Sequence, residues 1–453
     1  MRARLDELVT VQLARAKRFV RTKLLWNHAY RAWSYLSSAL WVVPLVAILL
    51  VLVTAPVLRV LDNWLDWRIA VMHVAGAQSL YETVITLTLS FIVFTFGSLL
   101  VAIQIAGGQL TPRIIATTLL RDNVVRYSVG LFFYSLVFSI TALDRLQDQV
   151  FALVSTLAAI LGLACMAVFL FLIDYAARLL RPVSVVARVG DDGLRVIRAV
   201  YPQLAPAGAD EADDEPPALG PPARILHHAG RSEIVLAVDM ETLVAEAVRH
   251  QGVIEFVPQV GDFLAQGEPL FALHGGAAGI EDRRLAAAVA FGIERTMEQD
   301  PMFAFRILAD IALKALSPAI NDPTTAVLAL DQIHRLLREV GRRRLRGEVI
   351  TDERGEPRVI YRTPNWEDYV NVSCQEIRSC GAGNVQIARR LHALFENLLA
   401  ALPPHRHPSL ERERRRLDES IETLYPLAED RALARIPDSQ GLGGSSREAR
   451  ARS

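Results

Sequence analysis

The sequence predicts an α-helical membrane domain of four transmembrane helices, followed by a cytoplasmic α+β domain with a small β-sandwich-like part and a helical part. Three observations carry that expectation. Apolar runs occupy 39–58, 83–106, 124–143 and 150–175, and each reaches the roughly 20 residues a helix needs to cross a hydrocarbon core of about 30 Å. A basic arm precedes the first run: Arg2, Arg4, Arg15, Lys17, Arg18, Arg21, Lys23 and Arg31 stand against Asp6 and Glu7 alone. Beyond residue 231 the pattern changes to short strand-like runs divided by turn residues, and then to helical periods.

The chain of 453 residues divides accordingly. A basic amphipathic arm is expected at 1–38 and the membrane domain at 39–175. A mixed cytoplasmic part follows at 181–280, with a flexible loop at 202–223 that is rich in Pro, Ala, Asp and Glu. A helical part is expected at 281–436 and a disordered tail at 437–453, rich in Gly, Ser and Arg. The arm has Leu5, Leu8, Val9, Leu13 and Ala16 on one side. Its charge abuts a membrane helix, so it reads as positive-inside character and not as a nucleic-acid surface. Arg178, Arg181, Arg188, Arg195 and Arg198 follow the fourth run. Four spans with two basic ends place both termini in the cytoplasm of a multi-pass protein of the cell (inner) membrane.

The second run has a face of its own. Thr83, Thr86, Ser90, Gly97 and Gln104 recur at helical spacing. Such a stripe serves close helix packing or lines a polar path. No Asp, Glu, Lys or Arg lies in 83–106, which disfavours a proton relay. Thr111-Pro112 then starts an interfacial helix. In the fourth run Ser155, Ala158, Ala159 and Gly162 form a small-residue packing face, and Asp174 and Arg178 pair across one turn.

The cytoplasmic part opens with short apolar stretches at 183–189 and 194–200 around Gly190-Asp191-Asp192-Gly193. Strands are expected at 234–238, 253–257 and 269–273, with a helix capped by Asp239 between the first two. The run GVIEFVPQVGDFLAQGEPLFALHG resembles the small β-sandwich of lipoyl and biotinyl carrier domains. No lysine occurs in 231–274, so only the scaffold is implied, without the carried cofactor. A helix is expected from about Met302 to Leu316, broken by Ser317-Pro318. Asp322 then caps a second helix with Pro323 in its first turn, and Asn321 before it is free to take a turn conformation. A hairpin is expected at 349–361, and helices at 366–400 and 410–424.

The segment RT…QD…ALKALSPAINDPTTA resembles the signature of a bacterial family of predicted membrane proteins of unknown function. The resemblance covers nearly the whole chain. It implies location and architecture, and it supplies no activity. Two readings of the corner remain open. In one, Asp322 simply satisfies free amides. In the other, Ser317, Asn321, Asp322, Thr324 and Thr325 form a ligand or coupling site, better suited to a cation than an anion. No nucleophile motif, phosphate loop or metal constellation stands out. Cys374 and Cys380 read as unrelated helix cysteines, and the doublet His227-His228 has no convincing further ligand. The expectation is therefore a non-enzymatic protein with no cofactor and no metal: a homo-oligomeric channel or transport-like protein in the lipid bilayer, with a small ion or ligand as guest. The rival is a membrane-anchored scaffold or sensor.

Overall fold

The computed structural model describes residues 36, 39, 41–65, 73–109, 122–146, 150–179, 181–205, 219–345 and 349–443. The basic arm apart from Leu36, Thr111-Pro112, most of the 202–223 loop and the end of the tail lie outside the described residues. The chain forms two compact units, divided near residue 185.

The first unit is four helices: α1 (Val42–Leu65), α2 (Val74–Gln109), α3 (Asn123–Asp144) and α4 (Ala152–Leu179). All four are long and apolar enough to cross a membrane. Helix α2 begins nine residues before its apolar run, where Gln78 and Glu82 bond across one turn at 2.9 Å. Asp122 caps α3, accepting the N–H groups of Val124 and Val125. Aromatic rings fill the middle of the bundle. Phe91 stacks on Phe169 with centroids 4.1 Å apart and tilts against Phe132 at 5.8 Å. The small-residue face of α4 packs as expected: Ser155 and Ala158 are buried, and a Cβ on Gly162 would meet Val84 at 2.8 Å.

The second unit begins within α5 (Pro182–Val200), one helix where the sequence suggested two apolar stretches. Gly190-Asp191-Asp192-Gly193 is not a turn. Gly193 lets α5 lie close to its neighbours, since a Cβ there would stand 2.8 Å from Ala304. Two sheets follow. Their strands are β1 (Arg224–His227), β2 (Glu233–Val238), β3 (Gly252–Phe256), β4 (Phe263–Leu264), β5 (Pro269–Gly275), β6 (Val289–Gly292), β7 (Val349–Thr351) and β8 (Pro357–Tyr361). One sheet runs β1-β5-β3-β8-β7 and the other β4-β2-β6. All pairings are antiparallel except β3 with β8. Val235, Val238 and Val289 of the smaller sheet share one core with Ile254, Phe271 and Val359 of the larger. Two helices attend the sheets, α6 (Met240–Arg249), capped by Asp239 as expected, and the short α7 (Asp282–Ala287). Strands β6, β7 and β8 come from beyond residue 280, so the expected boundary there does not separate the sheets from the helical part.

The helical part consists of α8 (Pro301–Ala315), α9 (Pro323–Val340), α10 (Trp366–Gly381), α11 (Val385–Ala401), α12 (His407–Leu424) and α13 (Ala428–Ala434). The helix expected over 366–400 is two, because Asn384 caps a new start by accepting from Gln386 and Ile387. The tail does not become free at 437. Arg389, 1 % exposed, donates to the carbonyls of Ile436 at 2.9 Å and Gly443 at 2.8 Å. The Asp438 carboxylate accepts N–H groups from Gln440, Gly441 and Gly443. A buried guanidinium spent on main-chain carbonyls thus holds 436–443 in place.

Candidate functional site

The stripe on α2 faces outward from its unit. Thr83, Thr86, Ser90, Gly97 and Gln104 are all exposed. The three hydroxyls donate to their own helix, to the carbonyls of Ser79, Glu82 and Thr86 at 2.7, 2.8 and 2.8 Å. A Cβ on Gly97 would meet nothing within 4 Å. Among the described residues, no helix of the same unit packs on this face.

A different row of α2 faces inward. Tyr81, Thr88 and Thr95 recur every seven residues and are buried. The Tyr81 and Ser155 hydroxyls bond at 2.8 Å. Ser128, Ser135 and Ser139 of α3 and Cys165 of α4 are buried in the same interior. At one end of the bundle the Tyr175 hydroxyl donates to Asp122 at 2.6 Å. Sequence reading missed this row because Val84, Phe91, Ile92 and Leu99 dilute it. A seven-residue spacing was the one available signal.

The signature corner lies in the second unit, and its local logic is that of two helices meeting at a break. The Ala315 carbonyl accepts the Asp322 N–H at 2.8 Å, and the Ser317 carbonyl accepts that of Asn321 at 2.8 Å. The Ser317 hydroxyl donates to the Lys314 carbonyl at 2.7 Å. Asn321 takes φ +49°, the left-handed region that Asn tolerates better than most residues. Both Asp322 oxygens are used, one by the Thr325 N–H and one by its hydroxyl. The structure brings Ser317, Asn321, Asp322 and Thr325 together through the chain's own hydrogen bonds, while Asn321 and Thr324 stay exposed. Asp322→Ala is expected to lower stability by about 1–2 kcal/mol, the usual cost of a lost N-cap. Thr324→Ala should be near neutral. Equal thermal midpoints for both variants would remove the capping role.

The other half of the signature fastens the sheets to the helices. The Gln299 side chain brackets Val238, accepting its N–H at 2.9 Å and donating to its carbonyl at 3.4 Å. Arg295 pairs with the buried Asp300 at 2.7 Å, and Asp300 caps α8 through the Phe303 N–H. Burial pushes the Asp300 carboxyl up, and Arg295 pulls against that. Tyr201 and Tyr369 share a buried hydroxyl bond at 3.0 Å, and burial pushes both phenols up. On α9, His334 accepts from Arg390 at 3.1 Å through Nδ1 and donates to Asn397 at 2.8 Å through Nε2. Burial lowers its pKa, and both ring nitrogens are spent. His228 bonds the Arg231 carbonyl at 2.6 Å and lies against Phe291. Cys374 is buried, its thiol pushed up by burial, while Cys380 is exposed. Among the described residues, no cluster of three His, Cys, Asp or Glu side chains could hold a metal.

This arrangement of four apolar helices followed by a mixed unit agrees with comparisons to known proteins. Residues 37–397 match the family described as "Predicted membrane protein (DUF2254)". The chain belongs to this family. It is also similar to uncharacterised proteins of mycobacteria. One, from Mycobacterium tuberculosis strain H37Rv (Rv1290c), is 26% identical over 388 residues, covering 79% of this chain and 73% of the relative. Another, from Mycobacterium bovis (Mb1321c), shows the same identity over the same shares. No solved structure matches the chain. As a DUF2254 member with four membrane-length apolar helices, the protein sits in a lipid bilayer.

Proposed function

We propose that the protein is a homo-oligomeric channel or transport-like protein of the inner membrane, regulated by its cytoplasmic domain, with both termini cytoplasmic. The outward stripe on α2 carries this reading. Thr83, Thr86, Ser90, Gly97 and Gln104 present hydroxyls, an open glycine and an amide on the outside of a single chain. An amide turned to hydrocarbon lacks partners that a second copy would supply. Small residues allow helix backbones of two copies to approach closely. The basic arm and the arginines after the fourth helix support the orientation. The exposed Asn321 and Thr324 make the signature corner the coupling or ligand site in this reading.

The test is reconstitution of the full chain in liposomes, with ion and solute flux recorded alongside native mass in nanodiscs. The wild type should form an oligomer and conduct. Gly97→Leu should dissociate it and reduce flux at least tenfold, with helical content unchanged. A monomer without flux under osmotic, voltage or ligand stimulus would overturn the proposal. It would leave the helices as an anchor for a cytoplasmic scaffold or sensor.

A further inference from the structure

The hydroxyls of the membrane unit fall into two sets that behave differently. A serine or threonine in an apolar helix ordinarily donates to the carbonyl one turn back. Thr83, Thr86 and Ser90 do so although they are exposed, and so do Thr88, Thr141 and Thr156. Three inward hydroxyls do not. Thr95, 4 % exposed, and Ser139, fully buried, meet no donor or acceptor of the chain. Ser135, also fully buried, has only the Cys165 thiol, a weak partner, beside it.

These groups fall at successive levels along the bundle, on both sides of an aromatic layer. The stacking of Phe91 on Phe169 and its contact with Phe132 fix the register of α2, α4 and α3. One turn from that layer, Thr88 stands level with Ser135 and Cys165. One turn the other way, Thr95 stands level with Ser128. The Tyr81–Ser155 bond lies beyond the first of these layers, and the Asp122–Tyr175 bond beyond the second. At 1.5 Å per residue, Tyr81 and Thr95 are about 21 Å apart along α2, most of a hydrocarbon thickness.

A buried hydroxyl without a partner is costly, and lipid offers none. We propose that the interior of each four-helix unit takes up water molecules on either side of the aromatic layer, held by Ser139 and Ser135 on the side of the Tyr81–Ser155 pair and by Thr95 on the side of the Asp122–Tyr175 pair. Water fits the site chemically. Ser139, Ser135 and Thr95 are hydroxyls that both donate and accept, and none of them carries a charge. These water sites lie within one chain, so they do not depend on the oligomer proposed above.

The experiment uses the unmodified full chain in nanodiscs, labelled by hydroxyl radicals from pulsed radiolysis of water, with mass-spectrometric readout. Cys165 and Met166 are chain neighbours, one fully buried and the other 41 % exposed on the outer surface. Both sulfurs react readily, so the site of oxidation reports where water is. Oxidation of Cys165 at least fivefold faster than that of Met166 is expected. The double variant Ser135→Ala with Ser139→Ala should reduce Cys165 oxidation to the level of Met166 without lowering the thermal midpoint. Cys165 oxidation no faster than Met166 in the wild type would overturn the internal water. So would a Cys165 rate unchanged in the folded double variant. Neither readout involves flux or oligomeric mass, so failure here is separate from failure of the channel reading.

Discussion

Gly276→Ala is expected to unfold the sheets of the second unit. A Cβ at this position would stand 1.8 Å from the carbonyl oxygen of His250, with the Gln251 carbonyl 3.5 Å away. The same crossing is tight from the other side, where a Cβ on Gly252 would stand 2.1 Å from the Ala277 nitrogen. Backbone cannot rotate aside as a side chain can. The ladder of β3 with β5 holds both segments, pairing Gly252 with Gly275. A loss of at least about 3 kcal/mol follows, at the upper end of overpacking costs. Thermal unfolding of the purified chain, followed by circular dichroism, reads it. Gly279→Ala is the control, since its nearest neighbour would be His250 Cδ2 at 4.0 Å. Wild-type midpoints for both variants would show that the crossing yields.

Glu413→Ala is the second large effect. Its carboxylate is 1 % exposed and accepts from Arg378 Nε at 3.1 Å and Arg416 Nη1 at 2.6 Å. Arg378 is mostly buried and also donates to Ser420 at 3.2 Å. Removing the acid strands the Arg378 guanidinium in a poorly hydrated place, and breaking a buried pair this way costs about 3 kcal/mol. Arg416 is 44 % exposed and turns to water at little cost. The double variant Glu413→Leu with Arg378→Met should be more stable than Glu413→Ala, because it leaves no charge stranded. Unfolding midpoints of the wild type, Glu413→Leu, Arg378→Met and the double variant give a double-mutant cycle. A double variant as unstable as the sum of its parts would mean that packing, not charge, dominates there.

Local chemistry was legible where a residue acts on its own neighbours. Asp239 and Asp322 are caps, Asn321 sits in a turn, and 349–361 is a hairpin, as their spacing implied. The four membrane helices were legible from length and polarity. The direction each faces was not. In a soluble helix the apolar side points inward, but α2 is apolar all round, so periodicity defines faces without ranking them. The stripe through Thr83 and Ser90 was easier to see than the buried row through Thr88 and Thr95, since its polar positions are denser. Arg389 was illegible for another reason. Its partners are main-chain carbonyls more than 40 residues away, and no pairing of residue types announces them. The 437–443 segment therefore read as a solvated tail.

The parallel pairing of β3 with β8 bears on how the protein is made. Strand β3 ends at Phe256, and its outer neighbour β8 ends at Tyr361. A ribosome adding about 5–20 residues per second needs roughly 5–20 s to cover that interval. Throughout it, the nascent chain carries β3 with one edge open, while α8 and α9 emerge and can already coil. The exposed edge closes only late in elongation. A ribosome stalled before residue 357 would release a chain whose sheet still offers Ile254 and Phe256 a place to pair with the wrong strand.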